Sequence, residues 1–252
     1  MAKKHKIIIY GLSLALAIAA YLLLAHFFIF YRIKTAGLIA PDRQDIYVIG
    51  ADKTMAKNLL YVALGDSLTA GAGVFKYEES YPYLLTRSLA GGKAVGASLK
   101  NFSYPGAKTS DLIKGLLAPA VEAQPDLVTL LIGTNDIFGG VSRAVFKKNY
   151  QYILERLTKK TQAKIYLINL PHLGTPKLLL TPYDYYYAWR TDQFNKIIRE
   201  LAEKYNLNYI DLDRSTRAEF KKDRLLYAKD LFHPSAAGYK LWARIIYDDI
   251  NK

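Results

Sequence analysis

The sequence predicts an α/β domain built as a three-layer α/β/α sandwich and preceded by a transmembrane helix. Apolar runs of strand length alternate with stretches that have helical periodicity, and the chain opens with a long apolar segment. Runs such as 127–132 are apolar at nearly every position, which is typical of strands covered by helices on both faces. A parallel sheet between two helical layers is therefore expected.

The alternation assigns five strands and five helices. Strands are expected at 59–64, 99–103, 126–132, 164–170 and 208–212, and helices near 79–90, 109–118, 141–159, 184–205 and 235–250. Parallel strands need long crossover connections, and the intervening helices supply them. The predicted sheet is therefore five-stranded and parallel.

The N-terminal segment, residues 1–31, is predicted to be a membrane anchor. Residues 7–31 carry no charge and exceed the roughly 20 residues that a helix needs to cross a bilayer. The alternative is a cleaved secretory signal, whose apolar region normally spans only about 7 to 15 residues. Thr35-Ala36-Gly37 and Leu38-Ile39-Ala40 are poor cleavage sites, so a retained signal-anchor helix at 7–31 is favoured.

The charges on the two sides of this helix are nearly even, with Lys3, Lys4 and Lys6 before it and Arg32, Lys34 and Arg43 after it. The short basic tail before a long apolar run nevertheless resembles an uncleaved signal anchor, which favours a cytoplasmic N-terminus. The chain after the span is then extracytoplasmic and held at the cell membrane. Residues 32–58, with a proline, a glycine and several charges, are expected to be a linker or stalk, and 59–252 one catalytic domain.

Composition limits the partners of the chain. The 252 residues carry a formal net charge of +13, which suits a surface beside anionic lipid headgroups or acidic wall polymers. Nucleic acid is not expected as a partner, because no helix-turn-helix, zinc-finger or RNA-binding signature is present. Without cysteine, the chain has no disulfide framework and no thiolate chemistry. No feature of the sequence predicts a particular oligomeric state.

Ser67 is the candidate nucleophile. It lies directly after the first predicted strand, with the small residues Gly65, Ala70 and Gly71 nearby to allow close approach of backbone and substrate. A serine in this position can also simply cap the next helix. The turn does not match the Gly-x-Ser-x-Gly elbow of α/β-hydrolases, because Thr69 replaces the last glycine.

His233 is the candidate base, and Asp230 lies three residues before it. Of the four histidines, His5 and His26 belong to the N-terminal segment and His172 follows the fourth predicted strand. A carboxylate at this spacing can bond Nδ1 of the imidazole, leaving Nε2 free to accept the serine proton. Alternatively, the pair only begins the C-terminal helix.

Asn135 supplies a candidate for oxyanion stabilisation at the end of the third predicted strand. Its amide, with the backbone N–H groups of Ser67 and Gly106, could surround the negative charge that develops on a carbonyl oxygen. Turn chemistry alone would also explain Asn135 and Gly106. Since ligands bind at the carboxyl ends of parallel strands, Ser67, Gly106 and Asn135 are expected at one edge of the sheet.

Together these residues resemble the ordered sequence blocks of the SGNH (GDSL) esterase and lipase family. The blocks are Gly65-Asp66-Ser67-Leu68, Gly106, Gly133-Thr134-Asn135-Asp136 and Asp230-x-x-His233, and the resemblance covers residues 59–250. The second block, at 102–107, departs from the pattern, because the family often has an asparagine near its start and Asn101 lies slightly early.

The resemblance implies a flavodoxin-like sheet and a serine esterase or lipase without a cofactor. It implies Ser67 as nucleophile, His233 as base, Asp230 as the group that orients the base, and an oxyanion hole formed by the Ser67 amide, Gly106 and Asn135. No metal is expected, since His172 and His233 show no recognisable ligand spacing.

The anchor and the basic charge favour lipid or lysophospholipid esters near the membrane as substrates. Two alternatives remain: an O-acetyl esterase acting on cell-envelope polysaccharide, and a non-catalytic envelope protein that binds anionic polymer. An aromatic cluster after the fourth predicted strand either flanks the substrate cleft or begins a helix packed on the sheet. Its members are Tyr183, Tyr185, Tyr186, Tyr187 and Trp189.

Overall fold

The computed structural model describes residues 2–35, 37, 39–42, 46–50, 58–92, 96–172 and 178–252. Parts of the predicted stalk, 43–45 and 51–57, and of both weak cleavage sites, residues 36 and 38, lie outside these ranges. Within the described residues, one helix is long and apolar enough to cross a membrane, over Lys3–Arg32 with a mean hydropathy of 2.5.

The core of the protein is a six-stranded mixed sheet. Its strands are β1 (Tyr47–Ile49), β2 (Leu59–Gly65), β3 (Ala97–Ser103), β4 (Leu127–Leu131), β5 (Lys164–Ile168) and β6 (Asn208–Ile210). Their spatial order is β1-β3-β2-β4-β5-β6, and all neighbours are parallel except β1 with β3. Without β1, this is the flavodoxin-like order that the family resemblance implies.

Helices cover both faces of the sheet. The helices of the described residues are α1 (Ala2–Thr35), α2 (Ser67–Ala70), α3 (Tyr81–Gly92), α4 (Thr109–Asp111), α5 (Leu117–Glu122), α6 (Thr134–Phe138), α7 (Arg143–Lys160), α8 (Tyr183–Lys204), α9 (Leu212–Lys222) and α10 (Ala236–Ile250), of which α1 extends away from the sheet. A π-helical turn over Leu112–Leu116 joins α4 to α5. Helix α10 contacts α3 and α9, while α7 contacts α5 and α8. These two groups form the outer layers of the predicted sandwich.

The sheet has one strand more than the five predicted. β1 lies within the segment assigned to the stalk, where it pairs antiparallel with β3 through Tyr47 opposite Leu99. The buried ring of Tyr47 stacks on Tyr77 at a centroid distance of 4.6 Å. A three-residue strand is too short to give a periodic signal, because tertiary contacts and not propensity stabilise it. At least this part of 32–58 belongs to the folded domain.

The strand register brings the ends of β2, β3 and β4 to one edge of the sheet. Gly65 lies opposite Ser103 on one side and Leu131 on the other. Every residue of β4 is buried, which explains its continuous apolar run. The segments that follow these three strands therefore begin side by side, as the sequence predicted.

Candidate active site

The turn after β2 presents Ser67 as the first residue of α2. Asp66 caps this helix, since its side chain accepts a hydrogen bond from the backbone N–H of Leu68 at 3.0 Å. A Cβ atom on Gly65 would lie 2.5 Å from the carbonyl oxygen of Leu131, so only glycine permits this close packing of strand and turn. Ser67 is itself buried, with 5% of its surface exposed.

Asp230 and His233 lie on a tight loop before α10. An antiparallel bridge between Tyr227 and Pro234 closes the loop, and the N–H of Ala228 donates to the carbonyl of His233 at 2.8 Å. Leu231 adopts a left-handed conformation with φ of 61°, a strain on the order of 1–3 kcal/mol for a non-glycine residue. The surrounding hydrogen bonds hold this strained turn and fix the position of His233.

The three predicted catalytic side chains form a continuous chain of hydrogen bonds. Nε2 of His233 lies 3.0 Å from Oγ of Ser67, and Nδ1 lies 2.5 Å from Oδ2 of Asp230. The sequence separation between Ser67 and His233 is 166 residues, so only the fold brings them together. A hydroxyl, an imidazole and a carboxylate in this order can transfer a proton away from the hydroxyl.

The environment of Asp230 favours its ionised form. Burial alone would raise the pKa of this carboxyl, but the hydrogen bond and charge of His233 oppose it, as do the backbone N–H groups of Phe232 and His233, each 2.9 Å from Oδ1. Together they hold the pKa of Asp230 below its ordinary value. An ionised Asp230 can stabilise the imidazolium that forms when His233 accepts a proton.

Gly106 and Asn135 lie on adjacent turns at the same edge. Gly106 has a φ of 85°, a conformation that favours glycine, and Nδ2 of Asn135 donates to the carbonyl of the next residue, Ala107, at 3.1 Å. Asp136 ties the two turns together, because its carboxylate accepts bonds from the N–H of Thr109 at 2.9 Å and from its hydroxyl at 2.5 Å. The structure thus brings together the two turns predicted to form the oxyanion hole.

Two residues that join the nucleophile segment to the histidine loop were not predicted. A Cβ atom on Gly73, which has a φ of 105°, would lie 2.4 Å from the carbonyl oxygen of Pro234 and 3.0 Å from Cβ of His233. The hydroxyl of Tyr239 donates to the carbonyl of Ala72 at 2.7 Å. Gly71-Ala72-Gly73, directly after the predicted nucleophile, was the available signal for Gly73; nothing in the sequence pointed to Tyr239.

Asn101 has a structural role beside the nucleophile. Its amide donates to the carbonyl of Thr69 in α2 at 2.7 Å, and it also bonds the hydroxyl of Tyr77. Its Oδ1 accepts from Ser103 at 2.5 Å. The asparagine that stands slightly early in the second sequence block therefore supports the helix that carries Ser67.

His172 lies beside the loop that carries His233, in a small pocket that it lines with Leu68, Phe232 and Pro234. A polar cleft of about 600 Å³ between α8 and α9 shares Arg217 with this pocket. We call the polar residues at this place the polar cluster; they are Asn169, His172, Asp211, Asp213 and Arg217. Burial, followed by the charge of Arg217, lowers the pKa of His172 below its ordinary value. Among the described residues, no hydroxyl bonds the ring of His172. This histidine therefore does not form a second proton-transfer chain.

The aromatic cluster after the fourth predicted strand begins α8. Tyr187 is buried and packs on Phe138 with ring centroids 4.5 Å apart, whereas Tyr185, Tyr186 and Trp189 are exposed. The cluster therefore divides between an inward face packed on the domain and an outward face.

Comparison with known proteins identifies the family of the chain. The model of the GDSL-like lipase/acylhydrolase family matches residues 63–241, a region that contains all the sequence blocks named above. The chain is 28% identical over 202 residues to the spore germination lipase LipC of Bacillus licheniformis, covering 72% of this chain and 92% of that protein. It is 27% identical over 168 residues to an acetylxylan esterase of Geobacillus stearothermophilus, covering 62% and 74%.

A solved structure gives the same result. The crystal structure of a lipase/acylhydrolase from Enterococcus faecalis superimposes with a TM-score of 0.64 at 26% identity, covering 76% of this chain and 95% of that one. The family match extends over more than half of the sequence and confirms the resemblance drawn from the sequence blocks. The chain therefore belongs to the GDSL-like lipase/acylhydrolase family and is an ester hydrolase of that type.

Proposed function

We propose that the protein hydrolyses carboxylic esters in two steps through an acyl-enzyme on Ser67. Oγ of Ser67 attacks the ester carbonyl while Nε2 of His233 takes the hydroxyl proton, and that proton then passes to the leaving alcohol. A water molecule, deprotonated by His233, attacks the acyl-enzyme, and the acid leaves as Ser67 regains its proton. The observation that carries this mechanism is the hydrogen-bonded chain from Ser67 through His233 to Asp230.

The oxyanion of each tetrahedral intermediate is stabilised by three donors in this proposal. They are the backbone N–H groups of Ser67 and Gly106 and the side-chain amide of Asn135. The bond from Asn135 to Ala107, next to Gly106, supports this assignment because it holds two of the donors on neighbouring turns. Donors fixed before the reaction lower the barrier because they need no reorganisation when charge develops.

We assign the substrate to lipid or lysophospholipid esters at the membrane. In this proposal α1 is a retained single-pass anchor and the catalytic domain is extracytoplasmic. The long exposed apolar helix, the net charge of +13 and the similarity to a lipase support the assignment. Positive charge would favour a bilayer with anionic headgroups.

A second candidate is an O-acetyl esterase acting on cell-envelope polysaccharide, favoured by the similarity to an acetylxylan esterase. The two candidates differ in how rate depends on acyl length. A lipid esterase retains or gains rate as the acyl chain lengthens from acetyl, whereas an acetyl esterase loses it. Acetylated xylo-oligosaccharides compared with long-chain lysophospholipids distinguish them.

The mechanism is tested by Ser67→Ala in the full-length protein in detergent, assayed with p-nitrophenyl acetate. The rate is expected to fall to that of spontaneous hydrolysis. Ser88→Ala is the matched control, since Ser88 is exposed and, within the part of the chain that the structure describes, its hydroxyl bonds only the carbonyl of Leu84 in its own helix. A fluorophosphonate probe should label the parent and Ser88→Ala but not Ser67→Ala. An unlabelled, inactive parent would instead favour the non-catalytic binding protein.

A further inference from the structure

Helix α1 has two parts that differ in their surroundings. Residues 3–20 are exposed on all sides, whereas residues 21–31 have one face packed on the hydrolase domain. Within the first part, residues 7–20 carry no charge and are about 21 Å long, which is shorter than the roughly 30 Å hydrocarbon layer of a bilayer. The hydrocarbon layer therefore also includes the first turns of the second part.

The second part of α1 contacts the start of α8. The hydroxyl of Tyr21 donates to the carbonyl of Thr181 at 2.6 Å, and the hydroxyl of Tyr183 donates to the carbonyl of Leu22 at 3.0 Å. The ring of His26 lies 5.9 Å from that of Tyr183. Ala25 and Ile29 on the same face are 3% and 2% exposed. The helix is thus fixed to the domain just where its fully exposed part ends.

The opposite face of the same turns is apolar and uncovered. Leu23, Leu24, Phe27 and Phe30 are between 58% and 72% exposed. So large an apolar surface is unfavourable in water but favourable in lipid. Because both faces belong to the same helical turns, the part of the domain that packs on one face must lie at the depth where lipid covers the other.

The length of the whole apolar helix shows how deep these contacts lie. Lys3–Arg32 spans 30 residues, or about 45 Å, which equals the hydrocarbon layer plus both headgroup layers of a bilayer. About five residues at each end then lie in a headgroup layer, so the contacts between α1 and α8 extend from the outer part of the hydrocarbon layer into the headgroup layer on the side of the catalytic domain.

The exposed residues of α8 next to these contacts are those that favour this layer. Tyr185, Tyr186 and Trp189 are 72%, 46% and 53% exposed, and the rings of Tyr186 and Trp189 lie 6.3 Å apart. Tyrosine and tryptophan are enriched at membrane interfaces because each has an apolar ring and a polar hydrogen-bonding group. We refer to these three residues as the aromatic edge.

A continuous series of ring contacts connects this region to the catalytic histidine. Tyr183 and Tyr187 are 6.3 Å apart, Tyr187 and Phe138 4.5 Å, Phe138 and Phe232 5.4 Å, and Phe232 and His233 5.0 Å. Tyr186 of the aromatic edge lies 5.3 Å from Tyr187, so packed rings join the edge to the loop that carries His233. A fixed position of the edge at the bilayer therefore also fixes the orientation of this loop.

We propose that the aromatic edge is inserted in the headgroup layer of the bilayer crossed by α1, so that the catalytic site takes its ester directly from that bilayer. This inference rests on the proposed function in which α1 is a membrane anchor. It adds a fixed orientation of the domain, with the start of α8 against the lipid.

The chain contains a natural reporter for this orientation. Of its two tryptophans, Trp189 lies in the aromatic edge and Trp242 is buried, with 2% of its surface exposed. The full-length protein is placed in lipid nanodiscs made with or without phospholipids brominated near the carbonyl end of the acyl chain. Bromine quenches only nearby tryptophans. In brominated discs the fluorescence contributed by Trp189 is therefore expected to fall severalfold, while that of Trp242 stays the same.

Trp189→Phe is the matched control, because it leaves Trp242 as the sole emitter. Its emission should be equal in brominated and plain discs. A second variant, Tyr185→Trp in the Trp189→Phe background, moves the reporter along the edge and should restore quenching. Equal emission of the parent in both discs would overturn the proposal, as would failure of the protein to enter discs at all.

Activity separates this proposal from the mechanism. Replacing Tyr185, Tyr186 and Trp189 together by serine should reduce the rate on a lysophospholipid held in the discs severalfold, relative to the rate on dissolved p-nitrophenyl acetate. An equal loss on both substrates would argue against membrane contact. If bromine quenches the parent but the parent hydrolyses neither substrate, the orientation at the membrane stands and the proposed mechanism is wrong.

Discussion

The catalytic cluster of Ser67, Asp230 and His233 and the polar cluster between α8 and α9 use the same kinds of residue at the same edge of the sheet. Each contains a histidine and a buried aspartate, and each lies near an asparagine that follows a strand, Asn135 or Asn169. Sequence composition alone does not distinguish them. Their neighbours do.

In the polar cluster the carboxylates are already paired. Arg217 bonds Asp213 and also Asp192 at 3.2 Å, while Asn169 bonds Asp211 at 2.7 Å and accepts from the N–H of Asp213 at 3.0 Å. These contacts tie α8, α9 and the end of β5 together. With its carboxylates engaged by an arginine, the cluster stabilises structure and has no carboxylate left to orient His172.

In the catalytic cluster the carboxylate of Asp230 faces a histidine instead of an arginine. A guanidinium stays protonated and can only stabilise charge, whereas an imidazole can gain and lose a proton near neutral pH. The difference between the two clusters is that the ring of His233 has a carboxylate on one nitrogen and a hydroxyl on the other, which is the arrangement that the proposed mechanism needs for a base.

The largest expected difference in activity is between variants of the two histidines, His233 and His172. His233→Ala should reduce kcat for p-nitrophenyl acetate by a factor on the order of 10⁶, because the proton acceptor is lost. His172→Ala should retain activity, since no described hydroxyl bonds its ring. A His172→Ala variant as inactive as His233→Ala, with an unchanged melting temperature, would show that the two clusters act together.

The next largest difference in activity is expected between variants of the two buried aspartates, Asp230 and Asp213. Asp230→Asn keeps the shape of the side chain but removes the charge that orients and stabilises His233, and should lower kcat by a factor of about 10⁴. Asp213→Asn should instead lower the melting temperature and leave kcat nearly unchanged, because Asp213 pairs with Arg217. Steady-state kinetics and thermal melts on both variants check this, and the comparison fails if the two variants lose the same activity.

Replacing the two asparagines, Asn135 and Asn169, should have smaller effects than replacing the aspartates. Asn135→Ala is expected to lower kcat by about 10² to 10³ with little change in KM, as removal of one oxyanion donor does. Asn169→Ala should reduce stability by about 1–3 kcal/mol, because Asp211 and the N–H of Asp213 lose a buried partner. Should Asn135→Ala raise KM and leave kcat intact, Asn135 would bind substrate and not the transition state.

The last comparison concerns the pH dependence of stability and Asp66, a carboxyl next to Ser67 that lacks the arginine found in the polar cluster. Burial, and secondarily the charge of Asp136, raise its pKa to about 7, and Oδ2 has no hydrogen-bond partner among the described residues. Between its unfolded pKa and about 7 the folded state binds the extra proton, so stability falls as pH rises, by about 1.4 kcal/mol per pH unit.

Asp66→Asn preserves the cap on Leu68 and removes this titration. Thermal melts from pH 4 to 8 should therefore show the parent losing stability relative to the variant up to about pH 7, with a constant difference above it. A constant difference over the whole range would mean that Asp66 keeps the same charge in the folded and unfolded chains.

Much of the fold was predictable because its signals are local. The five parallel strands and four of the five predicted helices follow from apolar runs and periodicity that tertiary contacts reinforce. The fifth, predicted at 109–118, is divided into the short helices α4 and α5 by the π-helical turn Leu112–Leu116. The short elements β1, α2 and α6 were missed because so few residues carry too little pattern, and α9 was missed although it has 11 residues. β1 in particular exists through its pairing with β3 and the stacking of Tyr47 on Tyr77, both of which join distant parts of the chain.

The sequence by itself determined which residues could perform the chemistry and in which order they occur, since residue type and strand-end position can be read along the chain. Only the tertiary structure decided that His233 and not His172 faces a hydroxyl, that Gly73 admits the catalytic loop, and that α1 packs on Tyr183. The reason is physical: proton transfer and close packing depend on distances of about 3 Å, and those distances arise from burial and register across segments that are far apart in the sequence.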